Sequence, residues 1–421
     1  MTSAPTKPAI STYDRIRIQR RTLGVLSAAQ IVGGVGMAVG IALSSVVVDE
    51  LSGSTVISGF AGTATTLGAA LLALPTARAA GRSGRRAGLA LAYTAALLGC
   101  VISVSAIGAR SWPMLLAGLV LVGGGSAGNL AARYAATDLS PRGRSARHLS
   151  LVVWASTIGS VAGPNLAEPA DQIGVRLGLV EKAGPYAFSA LAFALALVVI
   201  LGLLRPDPLQ LARELDGTRG AGPARTRTIR TAWETLRTTP MAFRALVMIA
   251  VSHTAMVSVM SMTPVKLHHD GSDLEVIGIV ISLHIAGMYM LSPVVGWLAD
   301  RAGKVPVLVL GMALLLGAAT LAGTAGHGVA QVTAALVLLG LGWSCGLVAG
   351  SALVTESVPI ERRPAVQGLS DLLMNVCGAT GTIVAGAIVS AFSYSALGLG
   401  VGVMVTLAAL WLVLPRRRDA R

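Results

Sequence analysis

Residues 296–304 read Gly296-Trp297-Leu298-Ala299-Asp300-Arg301-Ala302-Gly303-Lys304. Asp300, Arg301 and Lys304 crowd into a short break between two apolar stretches, 274–298 and 305–326. Each stretch is long enough to cross a bilayer as a helix, which takes about 20 residues. A charged break between two such stretches marks a membrane surface.

Working outward, ten further apolar stretches of spanning length run at 22–47, 56–77, 87–108, 112–135, 148–167, 184–204, 242–265, 329–354, 366–391 and 393–414. Of the 421 residues, 54% are hydrophobic and only 12% charged. That charged share is about half of what a soluble domain carries. Mean hydropathy is +0.72, so lipid is the solvent. A chain in lipid must satisfy its own backbone, and the alternation of a barrel is missing, so the spans are helices. The predicted fold is an all-α integral membrane protein of twelve transmembrane helices.

The net charge of +14 suggests nucleic acid until its positions are read. With the N-terminus placed in the cytoplasm, the inner segments carry Lys7, Arg15, Arg78, Arg85, Arg142, Arg219, Arg225, Arg227, Arg362, Arg416, Arg417, Arg418, Arg421 and most other cations. Only Arg110, Arg176, Lys182 and Lys266 fall outside. Positive residues gather on the cytoplasmic side of membrane proteins, so both termini are expected inside and no nucleic-acid partner is needed. The polar start leads into a full-length span and is not expected to be a cleaved signal. Cys100, Cys345 and Cys377 all lie in apolar segments, which argues against a disulfide framework.

The two halves repeat. Thr137-Asp138-Leu139-Ser140-Pro141 ends the fourth span, and Thr355-Glu356-Ser357-Val358-Pro359 ends the tenth, 218 residues later. Gly84-Arg85 answers Gly303-Lys304 at an offset of 219. The expected organisation is a cytoplasmic segment 1–21, a six-helix bundle 22–204, a basic linker 205–238, a second bundle 239–414 and a tail 415–421.

On residues 296–304 and this repeat, the chain resembles the major facilitator superfamily over essentially its whole length. The resemblance implies two pseudo-symmetric six-helix bundles rocking about a site near the bilayer midplane. The first-half counterpart of the loop, residues 77–86, departs from the family pattern, because Gly81 stands where an aspartate is expected. Asp138 is then expected to face the same arginines. Gly159-Ser160-Val161-Ala162-Gly163-Pro164 resembles the Gly-x-x-x-Gly-Pro motif of proton-coupled antiporters. Equally, its small residues serve close helix packing, and Pro164 frees a backbone bond where a helix bends.

Spans seven and eight carry Met256 and Met260 four apart, then His284 and Met288 four apart, each pair on one helix face. His253 extends the first stripe. At about 1.5 Å per residue the two pairs overlap in depth. Facing each other, they would offer thioether and imidazole ligands, a soft set that suits Cu(I). His268 and His269, in the next outer loop, are candidate collectors of metal, with Met374 and Cys377 as later ligands. The bland reading is that methionine fills irregular gaps in apolar cores. Met256-x-x-x-Met260 and His284-x-x-x-Met288 resemble the paired motifs of CcoA-like copper importers. That resemblance implies copper as the transported ion rather than a resident cofactor.

Asp371 is expected to pair locally with Arg362 or Arg363, or to carry a coupling proton. Arg133 is expected to latch onto Asp138, one turn away. Asp300, Arg301, Gly303, Lys304 and Glu356 complete the predicted gating set. The sequence offers no nucleophile with a base and no phosphate loop, so an enzyme is not expected. The expected protein is a plasma-membrane transporter, monomeric, taking up copper. The rivals are a proton-coupled exporter of drug-like or metabolite molecules and a sensor that no longer transports.

Overall fold

The computed structural model describes residues 11–217, 228–326 and 328–413. Lys7, Arg219, Arg225, Arg227, and the tail 415–421 with Arg416, Arg417, Arg418 and Arg421 lie outside the described residues. The described residues are helical throughout, without a strand.

In the first bundle, α1 (Thr12–Ala42) continues into α2 (Ser44–Ser52), and α3 (Thr55–Ser58) into α4 (Phe60–Ser83). Then follow α5 (Arg85–Gly108), α6 (Trp112–Ala135), α7 (Ser145–Arg176) and α8 (Gly184–Leu203). Two short helices, α9 (Pro208–Leu215) and α10 (Thr228–Thr238), occupy the linker. The second bundle holds α11 (Pro240–His269), α12 (Leu274–Tyr289), α13 (Ser292–Ala302) and α14 (Lys304–Gly323). It ends with α15 (Val329–Ser357), α16 (Arg363–Ala391) and α17 (Tyr394–Val413). Eleven segments are long and apolar enough to span, and the bent α7 brings the number to twelve. That matches the twelve stretches read from sequence.

Two local features were not predicted. The eighth span breaks between α12 and α13, where Pro293 at the start of α13 lacks the amide needed to continue the ladder. The linker is partly helical. Asp207 caps α9, its side chain accepting the backbone N–H of Leu209 at 3.0 Å and of Gln210 at 3.1 Å. The bend expected at Pro164 is present in α7, which turns 56° between Ser145–Gly163 and Asn165–Arg176. A proline at position 164 has no backbone N–H with which to continue the helix.

Within lipid, burying apolar surface does not drive helices together, so close packing of small residues must do so. The structure follows that rule. A Cβ added at Gly159 would lie 2.6 Å from the carbonyl carbon of Gly34, and one at Gly163 would run into the Cβ of Ala38. These glycines let α7 press against α1. Gly36 makes the same kind of room for Ala192 of α8. On the outside, large apolar side chains such as Leu191, Val198, Ile383 and Leu407 stand exposed, as a lipid-facing surface requires.

Among the described residues, the predicted inner segments around 78–86, 133–148, 205–217, 300–304 and 355–363 meet at one end of the molecule, here called the basic end. At this end Gly84 and Gly303 occupy matching turns with φ of +92° and +98°, a conformation that side chains with a Cβ resist.

Candidate functional site

A cavity of about 320 Å³ lies between the two bundles. From the first bundle it is lined by Gln30, Ser126, Asn129, Arg133, Ser156 and Ser160, and from the second by His253, Met256, Met288, Tyr289, Trp343, Met374 and Asn375. Each lone amide in this set sits inside an otherwise apolar span, where hydrogen-bonding groups are expensive unless used. Several are engaged already. Gln30 donates to Ser156 Oγ at 2.7 Å, Tyr93 donates to Asn129 Oδ1 at 3.2 Å, and Trp343 Nε1 donates to His253 Nδ1 at 3.1 Å. Tyr289 packs edge-on against Trp343, with ring centroids 5.5 Å apart.

The expected metal set is divided by this geometry. Met256 and Met288 line the cavity together with His253 and Met374. Met260 and His284 are not among its lining residues. Met260 packs half-buried against the core of the second bundle, and His284 is fully buried, its Nδ1 2.7 Å from the carbonyl oxygen of Leu336 on α15. The reason is topological: α11 and α12 each pack along α15 and scarcely on each other. These two helices, successive in sequence, are not close neighbours in the bundle. Cys377 is half-buried and also off the cavity lining. His268 and His269 are exposed at the end of α11 with ring centroids 6.5 Å apart. Among the described residues, no three His, Cys, Asp or Glu side chains are grouped to hold a metal.

Arg133 forms the floor. Its Nη2 lies 2.7 Å from Asp371 Oδ1 of α16, and its Nε donates to Ser351 Oγ of α15 at 3.1 Å. Nη2 also approaches the Met374 sulfur at 3.4 Å. The expected Arg133–Asp138 latch is therefore replaced by an ion pair between bundles. α6 ends at Ala135, so Asp138 lies in the following turn and meets Arg85, while Arg133, still on the helix, faces the other bundle. Asp371 likewise does not pair with Arg362 or Arg363. Arg363 lies eight residues before it, about 12 Å along the axis.

Below the floor, hydrogen bonds tie the bundles together toward the basic end. Arg85 grips Asp138 with two bonds of 2.7 and 3.1 Å and reaches across to Gln367 Oε1 at 2.6 Å. Tyr134 donates to Ser370 at 3.2 Å, and Ser292 donates to the Ser150 carbonyl at 3.1 Å. Asp138 thus does face an arginine of the altered first-half loop. The position of the missing aspartate, Gly81, faces Pro364 instead, 3.6 Å from where its Cβ would be. In the other half, Lys304 bridges Asp300 at 3.4 Å and Glu356 at 2.9 Å, and Ser145 of the first bundle donates to Glu356. Arg301 is exposed, its guanidinium stacked 5.4 Å from the Trp297 ring centre.

Sequence reasoning missed Trp343, Tyr289, Gln30, Asn129 and Asn375 as cavity residues. The amides were the available signal, since each is an isolated polar side chain inside a spanning stretch.

The family model described as Major Facilitator Superfamily matches residues 25–276 and 266–421. The chain belongs to the major facilitator superfamily. Within that superfamily it is 36% identical over 394 residues to the uncharacterised MFS-type transporter YdeG of Bacillus subtilis, covering 92% of this chain and 90% of that one. It is 33% identical to the uncharacterised MFS-type transporter YddS of the same organism, over 92% of this chain and 89% of that one. It is 26% identical to the riboflavin transporter RfnT of Brucella anthropi, over 94% and 96%. Among solved structures, the human organic anion transporter MFSD10 superposes with a TM-score of 0.75 at 17% identity, covering 94% of this chain and 99% of that one. The proton:xylose symporter XylE gives 0.67 at 16%, over 95% and 97%. At such identities these two speak for the fold alone. The chain is a superfamily transporter and not an enzyme.

Proposed function

We propose that the chain is a secondary active transporter of the plasma membrane that carries a small organic molecule by alternating access. Its basic end faces the cytoplasm, following the distribution of arginine. With the bundles tied together at that end, the described conformation is outward-facing. It acts as a monomer, with the lipid bilayer as its only obligatory partner.

The observation that carries this reading is the cavity between the bundles. Its volume of about 320 Å³ falls at the lower edge of the range for small-molecule sites, roughly 300–1,000 Å³. A bare ion held by thioethers needs a small fraction of that space. The lining joins two aromatic rings set edge to face, Trp343 and Tyr289, to hydrogen-bonding groups from both bundles, which suits a compact organic solute with polar groups. The similarity to RfnT makes riboflavin the first single compound to try.

A second reading, copper uptake, is favoured by one specific observation. His284 uses Nδ1 on the Leu336 carbonyl, and its buried Nε2 has no partner. Metal-binding imidazoles are commonly held in that way by the ring nitrogen that does not bind. Met288, one turn on, lines the cavity with Met256, and Met260 would complete the sequence-derived set.

One experiment separates the two. Proteoliposomes are loaded with a bacterial metabolite extract supplemented with riboflavin, and in parallel with radiocopper, and the solutes that leave are measured. The expected result is selective loss of one or a few organic solutes through the wild type and not through Trp343→Ala. Copper movement that vanishes in His284→Ala and Met256→Ala, with no organic solute moving, would replace the first reading with the second.

A further inference from the structure

We infer that the transported molecule is an organic anion, and that its anionic oxygen group is captured by Arg133 in exchange for Asp371. This rests on the reading of the inter-bundle cavity as the transport pathway and names the charge of what enters it.

The first ground is the charge of the lining. Arg133 is the one Lys or Arg side chain on the cavity wall, and among the described lining residues there is no Asp or Glu. The countercharge exists but points elsewhere. Asp371 lines a separate pocket of about 20 Å³ beneath, shared with Arg85, Tyr134 and Gln367. The Arg133–Asp371 pair is thus a buried dipole with its positive end toward the cavity. At the low effective dielectric of such a site, a single oriented charge strongly sorts anions from cations.

The second ground is the donor count. A guanidinium carries five N–H donors in a rigid fork suited to carboxylate geometry. Nε serves Ser351, Nη2 serves Asp371 and Tyr134, and Nη1 makes a single bond, to the Leu130 carbonyl at 3.2 Å. Nη1 therefore has a second N–H to offer an incoming oxygen.

The third ground is a place for Asp371 to go. The small pocket is large enough for one water by volume, and its wall presents Arg85, whose Nη2 already holds Gln367 of the second bundle. An anion on Arg133 lets the Asp371 carboxylate turn toward Arg85. That exchange trades one ion pair between the bundles, Arg133–Asp371, for another, Arg85–Asp371, so binding of the anion rearranges the contacts between the bundles near the basic end.

The test needs no knowledge of the natural substrate. Asn129 lines the cavity four residues before Arg133, about 6 Å up the same helix face. In the full chain carrying Cys377→Ser, Asn129→Cys supplies a reporter thiol. Methanethiosulfonate reagents bearing a sulfonate, a trimethylammonium or a neutral methyl group are applied from the outer face. Each rate is divided by that reagent's rate with a free thiol. The expected result is a preference for the sulfonate over the trimethylammonium reagent on the order of tenfold. Arg133→Gln should abolish it and Arg133→Lys should keep it. Asp371→Asn, which leaves the guanidinium without its countercharge, should enlarge it, so the inference is tested even where Arg133→Gln does not fold. Equal rates, or a preference for the cationic reagent, would overturn the anion while leaving the pathway intact. A thiol that no reagent reaches would instead overturn the pathway itself.

Discussion

Asp300 of α13 accepts the backbone N–H of Arg147 at 2.9 Å, so a carboxylate of the second bundle closes the N-terminus of a helix in the first. The N–H of Ala146 adds a second bond at 3.2 Å. Free amides and the helix dipole both favour a negative charge there. Such caps contribute about 1 kcal/mol. Asp300→Ala is therefore expected to shift the balance between closed and open basic ends about fivefold toward open. Spin labels attached through Arg147→Cys and Arg301→Cys would show this as growth of a long-distance population. An unchanged distance distribution would argue that the cap plays no part in closure.

Asp138 is the counter-ion of a fully buried arginine. Removing one member of a buried pair leaves the other charge stranded, at a cost of about 3–5 kcal/mol. Asp138→Asn should markedly lower the temperature at which the protein loses its fold in detergent. Arg85→Gln combined with Asp138→Asn should recover much of that loss, because neither residue is then charged. If the double variant is no better than the single one, the pair is not what Asp138 provides.

Gly163 and Gly62 offer a matched pair of substitutions. A methyl group at Gly163 would strike Ala38, whereas at Gly62 nothing lies within 4 Å. Overpacking costs about 1–3 kcal/mol, and alanine is otherwise the better helix former. Gly163→Ala is expected to reduce thermal stability and transport together, and Gly62→Ala to leave both intact or improve stability. Equal tolerance at the two sites would mean that α1 and α7 yield easily.

The fold was legible because membrane physics writes it in bulk. Twenty apolar residues at a time, broken by Asp300, Arg301 and Lys304, leave few alternatives. The repeat of Gly84-Arg85 in Gly303-Lys304 gave the two-bundle plan. The site was legible only in pieces. Met256, His253 and Met288 stood out as polar or polarisable side chains on spanning helices, and they do line the cavity. What one helix face cannot reveal is the face opposite it. Arg133 and Asp371 are 238 residues apart, so no local spacing could join them. The copper set assumed that helices adjacent in sequence are adjacent in space, and α15 stands between them.

The two matching joints at the basic end are built from different materials. On one side Asp300, Lys304 and Glu356 meet backbone amides and a serine; on the other, Gly81 packs on Pro364 beside the buried hydrogen bond from Arg85 to Gln367. Raising the ionic strength screens partly exposed charges such as Glu356 within a Debye length of about 8–10 Å and affects the buried bond at Arg85 far less. Salt should then slacken a single seam, so that the two halves part like a hinged door rather than a pair of symmetric jaws.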